Sequence, residues 1–312
     1  MDSLDKKILS ELMRNSRTPV TQLAKKVRSS REVVNYRISK MQKNGIILKF
    51  VTEIDTNLLG YQSASAFINI KAKKENELKE FVKTCEFTSW SGSFAGNWRF
   101  GVDIYGKDTA EIDDNFNKVY KNFKLDILSH RLAIYKKTIF MHEKYITPDA
   151  IFKFHENNPN RPSDAKDRRI LSALSNDARI DIVKISSMLK MSAPAIAKRI
   201  RQLEIDGFIK KYSIFIDVSK LGLYQYSVFI TNANVDEKGR LVKYLIAHGR
   251  VPFVVEYIGD PFLEFGIVVK DPYMLRPILQ EIEESFPDNR IQDVFLIQNE
   301  FLSIGPPKCV FK

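Results

Sequence analysis

The chain has 312 residues, 44% of them apolar and 28% charged, which excludes a disordered chain and leaves room for two or more domains. No apolar run approaches the roughly 18 residues of a membrane span, the start MDSLDKKILSEL is too charged for a secretory signal, and Cys85 and Cys309 give no disulfide framework, so a cytoplasmic, membrane-free protein is expected. The net charge of +11 is sorted: residues 1–50 hold 12 Lys/Arg against 4 Asp/Glu, residues 164–212 hold 11 against 6, and the rest sums to −2, which points to a polyanionic partner for those two segments.

In chain order, residues 4–14 read as a first amphipathic helix. Thr18-Pro19 opens a second, running to about Val27. Ser29-Ser30 caps a third, with Val34, Ile38 and Met41 inward at helical spacing. Gly45 stops it, and residues 46–55 form a strand-like wing. A second unit follows: strand 64–70, helix 75–84, strand 87–94, strand 99–105, helix 108–123 and strand 127–140. Between residues 142 and 163, Pro148, Asn157-Asn158, Pro159, Asn160 and Pro162 mark a linker. Within it residues 150–154 suggest one helical turn, docked through Phe152 and Phe154. The plan then recurs. Residues 167–174 form a helix, Asp177-Ala178-Arg179 breaks it, and 182–189 form another. Lys190-Met191-Ser192 is a tight turn of helix-turn-helix length. Ser192 caps a third helix, with Pro194 harmless in its first turn. Gly207 ends this helix, and 208–217 is the wing. Strand 226–231, helix 237–247, strands 251–258 and 262–269, helix 272–285 and strand 291–302 complete the chain.

A single offset of 162 superposes the halves without a gap from Asp5/Asp167 to Gly60/Gly222. Arg17 falls on Arg179, Ser30 on Ser192, Arg37 on Arg199, Gly45 on Gly207 and Asp55 on Asp217. Matches at Gly, Asp and Arg as well as apolar positions identify an internal repeat. The expected fold is α+β: two copies of a winged helix-turn-helix followed by a ferredoxin-like βαββαβ domain. The expected boundaries are 1–60 and 61–141 for the first copy, 142–163 for the linker, and 164–222 and 223–312 for the second. The sheet face away from the helices needs a cover, and the other copy's sheet is the nearest candidate.

This arrangement resembles the Lrp/AsnC (feast/famine) family of transcription regulators, fused head to tail. The family pattern is matched by Asp167, Ile170-Leu171, Arg179, Ser192, Arg199-Ile200, Leu203-Glu204, Gly207 and Ile209. The first copy keeps Asp5, Ile8-Leu9, Arg17, Ser30, Arg37-Ile38, Gly45 and Ile47, with Met41-Gln42 in place of Leu-Glu. The resemblance implies a RAM-type sheet domain, pairing of the two copies as an intrachain pseudo-dimer, and further assembly into a homo-oligomer. Family members bind amino-acid effectors near a Gly turn followed by Tyr-Asp. Here that turn is Gly96-Asn97 or Gly259-Asp260, and neither keeps the Tyr-Asp pair. These four residues are the place for a small amino-acid-like effector, against the alternative of plain hairpin turns. No metal or other cofactor is expected, because His130, His142, His155 and His248 show no ligand spacing.

The leading functional expectation is a sequence-preferring regulator of double-stranded DNA, without enzymatic activity. In the first copy Arg31, Glu32, Asn35 and Tyr36 would face bases, with Ser30 at the helix N-terminus and Arg37 and Lys40 on phosphates. In the second copy Ala193, Pro194, Ala197 and Lys198 would face the major groove. Ser192 would sit by a phosphate, and Arg199, Arg201, Gln202, Lys210 and Lys211 would lie on or beside the backbone. An internal salt bridge is the alternative for Arg37 and Arg199. Two other classes compete. Siroheme decarboxylases resemble this family in fold and also occur as related pairs, but residues 87–105 and 253–269, where their His- and Arg-bearing segment would fall, contain no histidine. A winged-helix protein-interaction module would not need basic charge on its third helices.

Overall fold

In the computed structural model, which describes residues 1–148, 150, 161–232, 235–303 and 305–312, both halves follow the same element order. The first comprises α1 (Ser3–Arg14), α2 (Val20–Val27), α3 (Arg31–Lys43), β1 (Ile47–Ile54), β2 (Gln62–Ile70), α4 (Glu75–Thr84), β3 (Thr88–Ala95), β4 (Phe100–Gly106), α5 (Thr109–Phe123) and β5 (Ile127–Phe140). The second comprises α6 (Ala165–Asn176), α7 (Ile182–Leu189), α8 (Ala193–Ile205), β6 (Ile209–Ile216), β7 (Tyr224–Asn232), α9 (Lys238–Ala247), β8 (Phe253–Ile258), β9 (Leu263–Val269), α10 (Leu275–Ser285) and β10 (Asn289–Ser303). This is the expected α+β fold. Among the described residues no helix is long and apolar enough to cross a membrane.

The elements collect into two compact units. The first unit holds α1–α3 with β1, α6–α8 with β6, and the C-terminal residues 305–312. Capping explains where its helices start. Asp2 accepts from the Asp5 amide at 2.9 Å while Asp5 accepts from the Asp2 amide at 3.2 Å, and Asp164 and Asp167 repeat this capping box at α6. The apolar stripe of α1, Ile8, Leu9, Leu12 and Met13, is fully buried. Gly45 and Gly207, at φ +69° and +79°, follow α3 and α8 in the left-handed region that a Cβ would strain. Strands β1 and β6 pair antiparallel, with Phe50 opposite Ile214 and Thr52 opposite Tyr212. The copies are crossed here. Helix α1 packs on β6 and α6 on β1, and the Thr52 and Ser213 hydroxyls donate to the carbonyls of Leu174 (2.8 Å) and Met13 (3.0 Å).

The second unit is a closed antiparallel barrel ordered β10-β3-β4-β2-β5-β8-β9-β7. Each copy supplies four neighbouring strands, and the two sets meet edge to edge at β5–β8 and β10–β3. Closure leaves no unpaired sheet edge. Helices cover the outer faces: Leu78, Val82, Ile112 and Phe116 pack on Ile68, Val102 and Ile104, while Leu241, Leu245 and Ile282 pack on Ile230, Phe265 and Ile267. Inside lies an aromatic core of Phe67, Phe94, Trp98, Phe229, Phe253, Tyr257 and Phe295. The repeat-related Phe67 and Phe229 meet edge to face at 4.8 Å. The uncovered sheet faces are therefore buried by barrel closure.

The two turn glycines differ. Gly96 is more than a hairpin turn, because a Cβ there would stand 2.5 Å from the Phe295 Cβ, so glycine is needed for the approach of β10. Gly259, at φ +91° with nothing within 4 Å, is a turn glycine. The start of the linker is packed, with the buried Lys144 ammonium donating to the carbonyls of Ile246 and His248 at the end of α9. The helical turn expected at 150–154 lies outside the described residues except for Ala150.

Candidate nucleic-acid interface

Helices α3 and α8 present their polar faces outward because their apolar residues are committed to the core. Val34, Ile38 and Met41 are buried in α3, and Ile196, Ile200 and Leu203 in α8. The side chains of Ser30 and Ser192 accept from Val33 N at 3.2 Å and Ala195 N at 3.4 Å, capping the two N-termini. Arg31, Asn35, Tyr36 and Lys40 are exposed, with the Lys40 ammonium 5.9 Å from the Tyr36 ring centre. In α8, Pro194, Lys198 and Arg201 are exposed and Ala193 is half-buried. The two N-termini differ in charge. The Glu32 carboxyl accepts from its own backbone amide and from Ser30, which holds its pKa below the ordinary range and keeps a negative charge at the start of α3. The matching position in α8 is Pro194.

The turn before each of these helices adds a pair of cations that sequence reasoning missed. Arg28 and Lys190, related by the offset of 162, end α2 and α7 at φ 57° and 54°. They are the only non-glycine residues with positive φ among the described ones. Both are exposed, beside the N-termini of α3 and α8. Glycine would sit there without strain. The signal available in the sequence was the match of basic residues at a turn position where glycine is usual.

Four other expected contact residues have partners within the protein. Arg37 pairs with Asp2 at 2.7 Å and Asp5 at 3.3 Å. Arg199 reaches Asp164 and Asp167, each at 2.8 Å. Donating to these carboxylates raises the pKa of both guanidiniums. Each arginine thereby fastens the third helix to the capping box of the first, which is the internal salt bridge weighed as the alternative to a phosphate contact. In the second copy Arg161 adds a 2.6 Å bond to the fully buried Asp167. Gln202 donates to Asp206 at 2.9 Å within α8, so its amide also serves the helix end. Lys210 pairs with Asp55 at 2.7 Å.

The effector-turn residues lie at two separate turns, Gly96-Asn97 between β3 and β4 and Gly259-Asp260 between β8 and β9. Asn97 donates to Asp293, which lies 3.8 Å from Arg131, and its carbonyl accepts from Asn69 at 2.8 Å. Gly259 and Asp260 stand at an exposed turn.

Comparison with known proteins places these helices. Residues 1–47 match the model for a winged helix-turn-helix DNA-binding domain, and residues 164–204 match that for an AsnC-type helix-turn-helix domain. The HTH-type transcriptional regulator FL11 of Pyrococcus horikoshii is 36% identical over 122 residues, covering 36% of this chain and 76% of the regulator. The chain belongs to the Lrp/AsnC family. LrpA of the same organism is 29% identical over 39% of this Lrp/AsnC chain and 87% of its own length. The match to LrpC of Bacillus subtilis, 38% identical, spans 42% of that regulator and 19% of the chain. A solved structure of the siroheme decarboxylase NirDL aligns over 98% of this Lrp/AsnC chain and 94% of its own, with a TM-score of 0.66 and 15% identity. That likeness is one of fold, across both copies.

Proposed function

We propose that this Lrp/AsnC protein is a sequence-preferring regulator of double-stranded DNA in which one chain does the work of a dimer. The observation that carries the reading is the pairing, within one unit, of two outward-facing capped helices that expose Arg31 and Lys40 on α3 and Lys198 and Arg201 on α8. The β1–β6 ribbon and the two-copy barrel support the intrachain pseudo-dimer. On this reading the modules run 1–60, 61–141, 164–222 and 223–312, joined by 142–163, and pseudo-dimeric chains assemble further. The two helices are unequal. Arg31 and Asn35 in α3 can make bidentate contacts to guanine and adenine. Ala193, Pro194 and Ala197 in α8 allow close approach and thymine-methyl contact, while Lys198, Arg201, Arg28, Lys190 and Lys40 meet phosphates. One chain should therefore select a non-palindromic site.

The test is selection of bound duplexes from a random pool by wild type, Arg31→Ala, Asn35→Ala and Lys198→Ala. Arg31→Ala and Asn35→Ala should relax one half of the site at a cost of about 1–3 kcal/mol. Lys198→Ala should weaken all sequences alike and lower the log–log salt slope by about 0.9. A symmetric motif, unchanged at either half by Arg31→Ala and Asn35→Ala, overturns the division of labour.

The full-length likeness to a siroheme decarboxylase keeps an enzymatic reading as the runner-up. Against it, the interior of the barrel is filled by aromatic rings, and the described histidines pack on rings: His130 on Phe116 and Tyr120, His142 on Phe140 and Tyr145, His248 beside Tyr244. Titration with an iron-uroporphyrin, followed by absorbance, separates the readings. Tight stoichiometric binding without DNA affinity would favour the enzyme.

A further inference from the structure

The first unit contains a reciprocal arginine clasp that the repeat pattern alone left as a family match. The Arg17 guanidinium donates through Nη1 to the carbonyls of Ala178 at 2.6 Å and Ile180 at 3.3 Å. Its counterpart Arg179 donates through Nε to the carbonyl of Ser16 at 2.6 Å. Each guanidinium also lies over an aromatic ring of a wing strand, Arg17 at 5.3 Å from the centre of Tyr212 and Arg179 at 4.3 Å from that of Phe50. Phe50 and Tyr212 are themselves related by the offset of 162, as are Ser16 and Ala178, so the clasp follows the internal two-fold in its rings and in one carbonyl on each side, while Arg17 alone adds Ile180. Backbone bonds close it, from Ser16 N to Tyr212 O at 3.0 Å and from Ala178 N to Phe50 O at 3.3 Å. The arginines are oriented from behind, because the amides of Arg17 and Arg179 donate to Asn15 and Asp177 at 2.9 and 2.8 Å.

The location gives this cluster its consequence. Arg17 stands in the loop between α1 and α2, and Arg179 in the loop between α6 and α7. Each three-helix body is held together by its own apolar core, so α3 and α8 move with these loops. A two-stranded ribbon twists easily, and here it is braced by the crossed packing of α1 on β6 and α6 on β1. The clasp adds charged-group hydrogen bonds at a further place, directly between the two loops, and so resists rotation of one body against the other. We propose that Arg17 and Arg179 are positioning residues that fix the separation and rotation of α3 and α8, and with them the half-site spacing that one chain accepts. This rests on the DNA-binding reading and adds to it a determinant remote from any base.

Two measurements test the clasp on the full chain with Cys85 and Cys309 changed to Ser. Spin labels on Gln22→Cys and Lys184→Cys, exposed positions of α2 and α7, report the distance between the bodies without DNA. In parallel, affinity is measured for duplexes carrying the selected half-sites at spacings from four base pairs shorter to four longer than the optimum. With Arg17→Met and Arg179→Met combined, the label distance distribution should broaden. The preference for the best spacing over its neighbours should drop at least about fivefold, since a hydrogen bond to a charged group contributes on the order of a tenfold factor. Arg17→Lys keeps the charge over Tyr212 but loses the planar fork, and should give an intermediate loss with a near-native melting curve, which keeps the test decisive if the double variant unfolds. Equally narrow distances and an equally sharp spacing optimum in Arg17→Lys and the double variant overturn the clasp while the DNA reading stands. A wild type that binds no duplex, with label distances that still respond, sinks the DNA reading and the spacing claim together.

Discussion

Arg28 and Lys190 show how one residue can hold a charge against its own backbone. Each occupies the left-handed region at the end of a helix, where a Cβ costs on the order of 1 kcal/mol relative to glycine. Nothing in the packing requires a long side chain there, since both are exposed. The strain is explained if the cation is wanted beside the N-terminus of α3 or α8. Arg28→Gly and Lys190→Gly should each raise thermal stability by about 1 kcal/mol and lower DNA affinity about threefold, with a shallower salt slope. Melting curves and binding isotherms on the same samples check this. Stability and affinity falling together would remove the functional account of the strain.

Among the elements, the third helix of each copy is tied to the first by one arginine, but the two ties differ in depth. Asp167 is fully buried and receives both Arg199 and Arg161, whereas Asp5 is partly exposed and receives Arg37. A buried carboxylate that loses a charged partner is costly even when a second partner stays. Arg199→Met should therefore destabilise the first unit by about 1.5–3 kcal/mol, and Arg37→Met by clearly less, because water can replace the lost partner. Urea denaturation of both variants measures the ordering, and an equal or reversed loss would show that Arg161 alone satisfies Asp167. The same ties explain why charge counts overstate the DNA-facing surface. Part of the positive excess of residues 1–50 and 164–212 is used to hold helices together.

For the whole molecule, the barrel encloses carboxyls that local sequence gave no reason to notice. Asp103 accepts from Tyr135 at 2.6 Å, and Glu264 accepts from Ser227 and Tyr257, with Tyr135 opposite Tyr257 across the β5–β8 seam. Burial pushes the pKa of Asp103 up to about 7 from an ordinary 3.8; hydrogen bonds from Tyr135 and Ser65 oppose the rise, and the neighbouring Glu264 and Glu300 add to it. Burial raises Glu264 as well. Because the folded Asp103 holds its proton more tightly than the unfolded one, its contribution to stability is complete below about pH 4 and is lost as pH rises through 7. Wild type should lose stability relative to Asp103→Asn between pH 5 and pH 8. Urea midpoints across that range provide the check, and parallel profiles for the two proteins would contradict it.

The sequence by itself determined the helices of both winged units, the Ser30 and Ser192 caps, the glycine stops and the two-copy plan, because these rest on periodicity and on bonds between residues a few positions apart. It also located the cationic segments. Only the tertiary structure decided which cations face outward, since the partners that turn Arg37 and Arg199 inward lie 32 to 35 residues away in the chain. The same holds at longer range. Arg17 finds its carbonyl 161 residues on, and Gly96 owes its identity to Phe295 on a strand of the other copy. Such pairs carry no local pattern, because their energy depends on where folding brings two distant stretches together, and here that is where the repeat closes on itself.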